Sequence, residues 1–334
     1  MTYDVHAHIV PVELMELLRS DGSRFGFESF QNPKGQEMLR LAGRTQIGPF
    51  PPVLFDLDAR MAAMDEGGVQ VQLVSHRTDF SAYALEGEAG AAYANAFNRI
   101  LADEVSRYPD RLLALGTVPL QSPARAAEEL AFSVRELGMV GAEIASNVDG
   151  VTLDQAELDP FWEMANDLRC LILLHPYDPL RGVDLSRYFL ENMVGRPAES
   201  TVAIAHLLFS GILERYPDLV LVMVHGGGYM PYQIGRWEKG YKVVPDIAGK
   251  NISRPPMEFI KRLYYDSLVH IPEAINYLLS LVGPGQIVLG TDYPYEMAER
   301  APVKFIDSVP GLSAENRHAI LEGNIRRLLD GIRR

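Results

Sequence analysis

The sequence is short of the features that mark several large protein classes. It has one cysteine, Cys170, so no disulfide can form within the chain, which fits a reducing compartment. Lysine and arginine together number 31 against 44 aspartates and glutamates, and the formal net charge is −13. A basic face for nucleic acid or anionic lipid is therefore not expected. A small anionic substrate, held by a few local arginines, is compatible with this charge.

Long apolar segments are missing as well. No apolar run has transmembrane length, and the N-terminus has no charged leader followed by a long apolar stretch. We therefore expect a cytoplasmic protein that binds neither membranes nor nucleic acids. No G-x-G-x-x-G follows the first apolar run and no G-x-S-x-G occurs, which disfavours dinucleotide-binding and serine-hydrolase folds.

Eight short apolar runs recur along the chain, and most end at a polar or glycine-rich turn. They cover residues 3–9, 69–76, 112–120, 140–146, 170–176, 219–228, 262–269 and 286–292. Helical patterns lie between most of them, at 59–68, 90–109, 122–138, 158–168, 199–217 and 271–283. This alternation predicts a parallel sheet, and eight strands with crossover helices fit a (β/α)8 TIM barrel. An open doubly wound sheet is the alternative.

The domain organisation follows from length and composition. A chain of 334 residues with 47% hydrophobic content suits one large barrel or two ordinary domains. Residues 20–56 are rich in glycine, phenylalanine and proline, and we interpret them as an insertion after the first strand that covers the barrel mouth. We expect a single domain over residues 1–334.

The first apolar run ends in two histidines, His6 and His8, within the sequence DVHAHIV. Side chains two residues apart on a strand point to the same face, so a strand over 3–9 presents both imidazoles together. Two neutral imidazoles are half of a metal site. Two histidines with separate hydrogen-bond partners would fit the same pattern.

Three other predicted strands also end in a histidine or an aspartate. The fifth run ends at His175, the sixth at His225 and the eighth at Asp292. In a TIM barrel the C-terminal ends of the strands meet at one rim, so these side chains are expected to converge with the histidine pair. Imidazoles and a carboxylate suit a divalent ion, first of all Zn²⁺, with Mn²⁺ as an alternative. Such an ion activates water or polarises a substrate oxygen, and a nearby histidine can move protons.

Simpler interpretations exist for the same residues. Asp292 in GTDYP could form an ordinary turn, and the HGGG sequence at 225–228 could be only a tight turn. His76 and His270 also sit at strand ends and are second-rank pocket candidates. The two histidines that lie in helical patterns, His206 and His318, are assigned to structure or surface.

Several segments together resemble a known family. They are DVHAHIVP (4–11), DARMAAMDEGGVQVQLVS (58–75), ALGTVPLQ (114–121), LLHPYDP (173–179), residues 197–228 ending in HGGG, and VLGTDYPY (288–295). In combination they resemble the amidohydrolase superfamily, and more closely the branch that contains aminocarboxymuconate-semialdehyde decarboxylase and related aromatic-acid decarboxylases. The resemblance covers nearly the whole chain and implies a distorted TIM barrel with one metal ion.

The resemblance also implies roles for particular residues. By matching motif positions, the metal ligands would be His6, His8, His175 and Asp292, and His225 would be the general acid–base residue, with Asp292 assisting proton transfer. No bridging carboxylated lysine is implied, because no predicted strand ends in lysine.

The candidate substrate-binding residues match more than one relative within the superfamily. Arg236 falls where the decarboxylase has an arginine that reaches a substrate carboxylate across a dimer interface, which implies a homodimer or higher homo-oligomer. Gly48 takes the place of a second substrate arginine. Arg77, in SHRTDF, instead matches a segment of a related C–C bond hydrolase and a hydratase. Tyr177 and Tyr295, which flank the ligand motifs, are predicted to wall the pocket.

The predicted function is a metal-dependent, non-oxidative decarboxylase of an aromatic or muconate-type carboxylic acid. The alternative is a metal-dependent hydrolase that cleaves an amide or a C–C bond of a ring-cleavage product, because the same residues would serve that chemistry. A non-catalytic barrel that binds a ligand is a third possibility. It predicts no stoichiometric metal and tolerance of His225→Ala.

Overall fold

A parallel barrel of eight strands forms the centre of the protein. The computed structural model describes residues 1–177 and 182–333, so the last two residues of the LLHPYDP motif lie outside the described part. The strands, numbered in chain order, are β1 (Tyr3–Ile9), β2 (Phe27–Gln31), β3 (Glu37–Leu41), β4 (Thr45–Ile47), β5 (Val71–His76), β6 (Leu112–Gly116), β7 (Gly141–Ala145), β8 (Asn147–Val148), β9 (Val151–Thr152), β10 (Leu171–His175), β11 (Val220–Met223), β12 (Tyr264–Asp266) and β13 (Ile287–Val288). The barrel order is β1-β5-β6-β7-β10-β11-β12-β13, and these strands match the eight predicted runs.

The last strand closes onto the first through backbone hydrogen bonds. Val5 N donates to Leu289 O at 2.9 Å, and His8 N donates to Tyr293 O at 2.7 Å. Asp292 N donates to His6 O at 2.8 Å. These bonds continue the sheet beyond the short strand β13. The closed barrel is thereby confirmed and the open doubly wound sheet is excluded.

A β-bulge in β1 sets the direction of the histidine pair. Asp4 pairs with Gln72 of β5, but Ala7 pairs with Val74, so three steps along β1 oppose two along β5. Such an extra residue reverses the alternation of faces beyond it. Asp4 therefore faces the surrounding helices, while His6 and His8 can both face the barrel interior.

The helices surround the barrel as the alternating pattern predicts. They are α1 (Val12–Asp21), α2 (Leu57–Gly67), α3 (Gly87–Val105), α4 (Pro123–Arg135), α5 (Asp159–Leu168), α6 (Arg196–Phe209), α7 (Ile212–Arg215), α8 (Met230–Val243), α9 (Pro245–Ala248), α10 (Pro256–Ile260), α11 (Pro272–Val282), α12 (Pro302–Asp307), α13 (Ala314–His318) and α14 (Asn324–Asp330). The prediction of one helix over 199–217 is wrong, because the chain breaks it at Gly211. This glycine has φ +84, and a Cβ there would lie 2.4 Å from Asn251 O. Only glycine fits this close approach of two backbones.

The insertion after β1 contains an antiparallel sheet, in the order β2-β3-β4. Its apolar side chains, among them Phe27, Leu39 and Ile47, are buried in the same core as the barrel helices. Gln36 and the segment 48–52 line the cavity at the barrel mouth. The insertion therefore contributes to the cavity, while the single-domain organisation stays a prediction. No helix in the described ranges is long and apolar enough to cross a lipid bilayer.

Candidate metal centre

Four imidazoles from three barrel strands, β1, β10 and β11, meet at one rim. The ring centroids of His6 and His8 lie 5.2 Å apart, and that of His175 lies 5.2 Å and 5.0 Å from them. The ring of His225 lies 5.3 Å from His6 and 5.4 Å from His175. Ligand atoms of His6, His175, His225 and Asp292 all lie within 4.8 Å of one another. The structure thus brings together all five groups that the sequence predicts.

Three of these histidines are fixed through the same ring nitrogen. His6 Nδ1 lies 2.8 Å from Asp266 Oδ2, and His8 Nδ1 lies 2.8 Å from the backbone oxygen of His76. His175 Nδ1 lies 2.9 Å from Pro176 O and 2.9 Å from Thr78 Oγ1. A carboxylate and a backbone carbonyl only accept hydrogen bonds, so each Nδ1 carries the proton. Each ring therefore presents its Nε2 to the centre of the cluster, as a lone pair wherever the ring is neutral.

The Nε2 atoms face one another and a carboxylate across the centre of the cluster. His6 Nε2 and His8 Nε2 lie 3.3 Å apart, and Asp292 Oδ1 lies 3.4 Å and 3.1 Å from them. His175 Nε2 and Asp292 Oδ1 are buried and have no hydrogen-bond partner. Buried acceptors in mutual contact are unfavourable unless a cation lies between them. The residues present therefore fit a divalent metal ion.

The electrostatics of the site fit the same conclusion. Burial lowers the pKa of His6, but the carboxylates of Asp292 and Asp266 more than offset this and raise it to about 9, so a metal ion would bind there by displacing a proton. Burial and the three neighbouring imidazoles keep the pKa of His175 well below its ordinary value. Burial raises the pKa of Asp292, but the surrounding histidines outweigh it and hold that pKa well below the usual range. An ionised Asp292 beside a neutral His175 is the protonation state that binds a cation.

The turn after β11 gives His225 its position. His225 has φ +54 and is followed by three glycines with positive φ. A Cβ on Gly226 would lie 2.4 Å from Val269 Cγ1, and one on Gly228 would lie 2.2 Å from Pro197 O. The HGGG sequence is therefore required for close packing as well as for its backbone angles. His225 Nε2 lies 3.7 Å from Asp292 Oδ2, and its Nδ1 has no hydrogen-bond partner.

Asp266 connects the HGGG turn to His6 through hydrogen bonds. Its Oδ2 accepts a hydrogen bond from His6 Nδ1, and its Oδ1 accepts one from Gly226 N at 2.8 Å. Burial raises the pKa of Asp266, but the bond to His6 outweighs it and lowers that pKa. A carboxylate behind a ligating histidine fixes its tautomer and its orientation. The sequence analysis missed Asp266, although it ends β12 at the same rim.

Replacing Asp266 with Asn is expected to weaken metal binding by about 10- to 100-fold, because an amide cannot accept both hydrogen bonds. Equilibrium dialysis with Mn²⁺, followed by elemental analysis, measures this affinity. Asp307→Asn is the matched control, since Asp307 forms an exposed pair with Arg317. Unchanged affinity in a folded Asp266→Asn protein would contradict the orienting role.

A second buried carboxylate lies behind His8. Glu143, on β7, has its oxygens 3.6 Å from His8 Nδ1 and 3.7 Å from His76 Nδ1. Both oxygens are buried without a hydrogen-bond partner. His76 therefore lies behind the ligand cluster, whereas His270 lines a smaller cavity beside it. The sequence analysis missed Glu143 as well, because it lies inside an apolar run.

A buried polar network holds β1 against its neighbours. Asp4 Oδ2 accepts hydrogen bonds from Gln72 Nε2 at 2.8 Å and from Thr291 Oγ1 at 2.6 Å. Arg60 of α2 donates to Gln72 Oε1 at 2.6 Å and to His8 O at 2.5 Å. The strand that carries both histidines is thereby tied to the residue preceding Asp292.

The cluster opens into a cavity of about 610 Å³. Its lining includes Arg77, Tyr177 and Tyr295, as the sequence predicts, and also Arg196, which the sequence analysis did not consider. The ring of Tyr295 lies 5.2 Å from that of His8. Arg236 is exposed on α8 and does not belong to the described residues that line this cavity.

Comparisons with known proteins agree with this geometry. The amidohydrolase family model matches residues 3–331. A 2-amino-3-carboxymuconate-6-semialdehyde decarboxylase from Dictyostelium discoideum is 31% identical over 326 residues, which cover 98% of this chain and 90% of that protein. The match thus extends over nearly the full length of both proteins.

Two solved structures share the fold. A 5-carboxyvanillate decarboxylase from Sphingomonas paucimobilis has a TM-score of 0.83 at 23% identity, with 99% of both chains covered. A dihydroxybenzoic acid decarboxylase from Polaromonas sp. JS666, with bound manganese and the inhibitor 2-nitroresorcinol, has a TM-score of 0.77 at 22% identity. That match covers 98% of this chain and 96% of the other.

Proposed function

Since this chain belongs to the amidohydrolase family, we propose that it is a metal-dependent, non-oxidative decarboxylase of an aromatic or muconate-type carboxylic acid. The observation that carries the proposal is the set of unpartnered acceptors, His175 Nε2 and Asp292 Oδ1, beside a cavity lined by arginines. The relative that is 31% identical is named as a decarboxylase, which favours this reaction over the hydrolase alternative. A role in aromatic catabolism follows from this substrate class.

The proposed cofactor is one divalent ion, held by His6, His8, His175 and Asp292. Zn²⁺ suits the three imidazoles, and Mn²⁺ is the alternative, which the manganese in the Polaromonas structure supports. When bound, the ion polarises a substrate oxygen or activates water.

The proton steps belong to His225, assisted by Asp292. As CO₂ leaves, the bond between the carboxylate and its carbon breaks and the electron pair stays on that carbon. His225 then donates a proton there, and Asp292 Oδ2, at 3.7 Å from His225 Nε2, attracts the charged imidazolium before transfer. Tyr177 and Tyr295 form walls of the cavity.

Substrate carboxylates are assigned to Arg77 and, from a second copy of the chain, to Arg236. Guanidinium groups suit this role because they offer two parallel donors. Arg236 is exposed in the single chain, so its role requires a homodimer or a higher homo-oligomer. Sedimentation equilibrium tests this requirement, and a monomer with full activity would contradict it. The cytoplasmic location remains the prediction from the sequence.

Mass analysis of the product tests the proposed reaction. Metal-loaded protein is incubated with 5-carboxyvanillate, a dihydroxybenzoic acid and the amino-carboxymuconate semialdehyde, which are the compound types named in the relatives. We expect one of them to lose CO₂, whereas hydrolysis would add the mass of water. If no acid loses CO₂ and a hydrolysis product forms instead, the decarboxylase proposal is wrong.

A further inference from the structure

The two arginines that line the cavity in the described part of the chain differ in how their charge is compensated. Arg77 Nε lies 2.7 Å from Asp79 Oδ1, and both side chains are about four-fifths buried. Arg77 Nη1 also donates to Pro49 O at 3.2 Å. The charge of Arg77 is therefore neutralised by a close, partly buried carboxylate, and its donors are partly engaged by the insertion.

Arg196, the first residue of α6, has a weaker counter-charge. Its Nη2 lies 3.6 Å from Glu191 Oε1, and the Glu191 side chain is 52% exposed. A pair at this distance with a half-exposed carboxylate contributes little, because solvent screens it. Arg196 thus brings more uncompensated positive charge to the cavity than Arg77 does.

The guanidinium of Arg196 is held in place by the chain that follows a proposed metal ligand. Its Nη1 donates to Pro176 O at 2.8 Å and to Tyr177 O at 2.7 Å, directly after His175. Both acceptors are neutral carbonyls, so they fix the side chain without cancelling its charge. A preorganised cation binds an anion with a smaller loss of conformational entropy than a mobile one.

The position of Arg196 also joins two parts of the cavity. It lines the main cavity of about 610 Å³ and a neighbouring one of about 350 Å³. Asn192, His225, Asp292 and Met297 line both as well. An anion on Arg196 would therefore lie within the same site as the proposed proton donor and metal ligands.

We propose that Arg196 binds a second carboxylate of the substrate, one that the reaction retains, and that the substrate is accordingly a dicarboxylic acid. This inference rests on the proposed decarboxylase function and makes Arg196 a determinant of its specificity. The carboxylate that leaves as CO₂ is assigned to the metal centre and to the arginines proposed above, Arg77 and Arg236. The retained carboxylate accepts hydrogen bonds from the Arg196 guanidinium and stays on the product.

Binding of non-reacting probes tests the inference without catalysis. Isothermal titration of metal-loaded protein with benzoate, phthalate, isophthalate and terephthalate compares one carboxylate with two. We expect at least one dicarboxylate to bind about 10- to 100-fold more tightly than benzoate, as one charge-assisted contact provides. In Arg196→Met this preference should fall to within about threefold, while Arg196→Lys should keep part of it.

A control variant and the affinity for benzoate distinguish a role of Arg196 in substrate specificity from a purely structural role. Arg215→Met removes an exposed arginine that pairs with Asp159, and its dicarboxylate preference should equal that of the unmodified protein. If Arg196 only anchors the loop after His175, Arg196→Met will weaken benzoate and dicarboxylates equally, and the inference is overturned. An absence of dicarboxylate preference in the unmodified protein also overturns it. Failure of the decarboxylase proposal is seen separately, as a lack of CO₂ release by the unmodified protein.

Discussion

Replacing His175 with Ala is expected to remove most of the bound metal and to lower the rate of CO₂ release by about a thousandfold or more. His175 Nε2 is buried without a hydrogen-bond partner, so we expect it to offer a lone pair to the cation. Elemental analysis of dialysed protein measures the metal, and the mass assay measures the product. Chelator treatment of the unmodified protein should give the same loss, reversed by Zn²⁺ or Mn²⁺.

The control for this variant is His206→Ala. His206 lies on α6, is half-exposed and pairs with Asp154 at 3.1 Å, away from the cluster. This variant should keep one metal ion per chain and full activity. Circular dichroism of both proteins checks that the barrel is intact. A folded His175→Ala protein that keeps its metal and its activity would contradict the ligand assignment.

Replacing His225 with Asn is expected to lower kcat by about 100- to 10,000-fold, the usual contribution of a general acid–base group. The metal content should stay at one ion per chain. The geometry makes this test necessary, because the ligand atom of His225 lies within the same 4.8 Å cluster as those of His6, His175 and Asp292. Steady-state kinetics and elemental analysis on the same sample separate the two roles.

The two possible outcomes assign His225 differently. Loss of activity with the metal retained identifies it as the proton donor. Loss of both together identifies it as a metal ligand and moves the proton transfer to another group, which would contradict the mechanism.

The barrel could be predicted because its strands are apolar on both faces and most of them end in a polar or glycine-rich turn. The histidines and Asp292 could be predicted for the same reason, since parallel strand ends converge on one rim. The bulge at residues 4–7 could not, because a single extra residue leaves the apolar pattern of β1 unchanged. The sequence therefore predicts that the two imidazoles share a face but not which face it is.

The two carboxylates behind the histidines could not be predicted from the sequence for a related reason. Glu143 and Asp266 lie within or at the end of apolar runs, where a carboxylate looks like an interruption of the strand. Their roles depend on contacts across the barrel, with His8 and His6 respectively, and such contacts between distant segments leave no local pattern. Arg196 was missed because a helix-start arginine is ordinarily a surface residue.

The hydrogen bond from Asp292 N to His6 O joins residues that lie almost a full chain length apart. On the ribosome, the first strand emerges long before its closing partner has been translated. The proposed set of metal ligands is therefore complete only once the segment after β13 has docked against β1, so assembly of the site and closure of the barrel are one event.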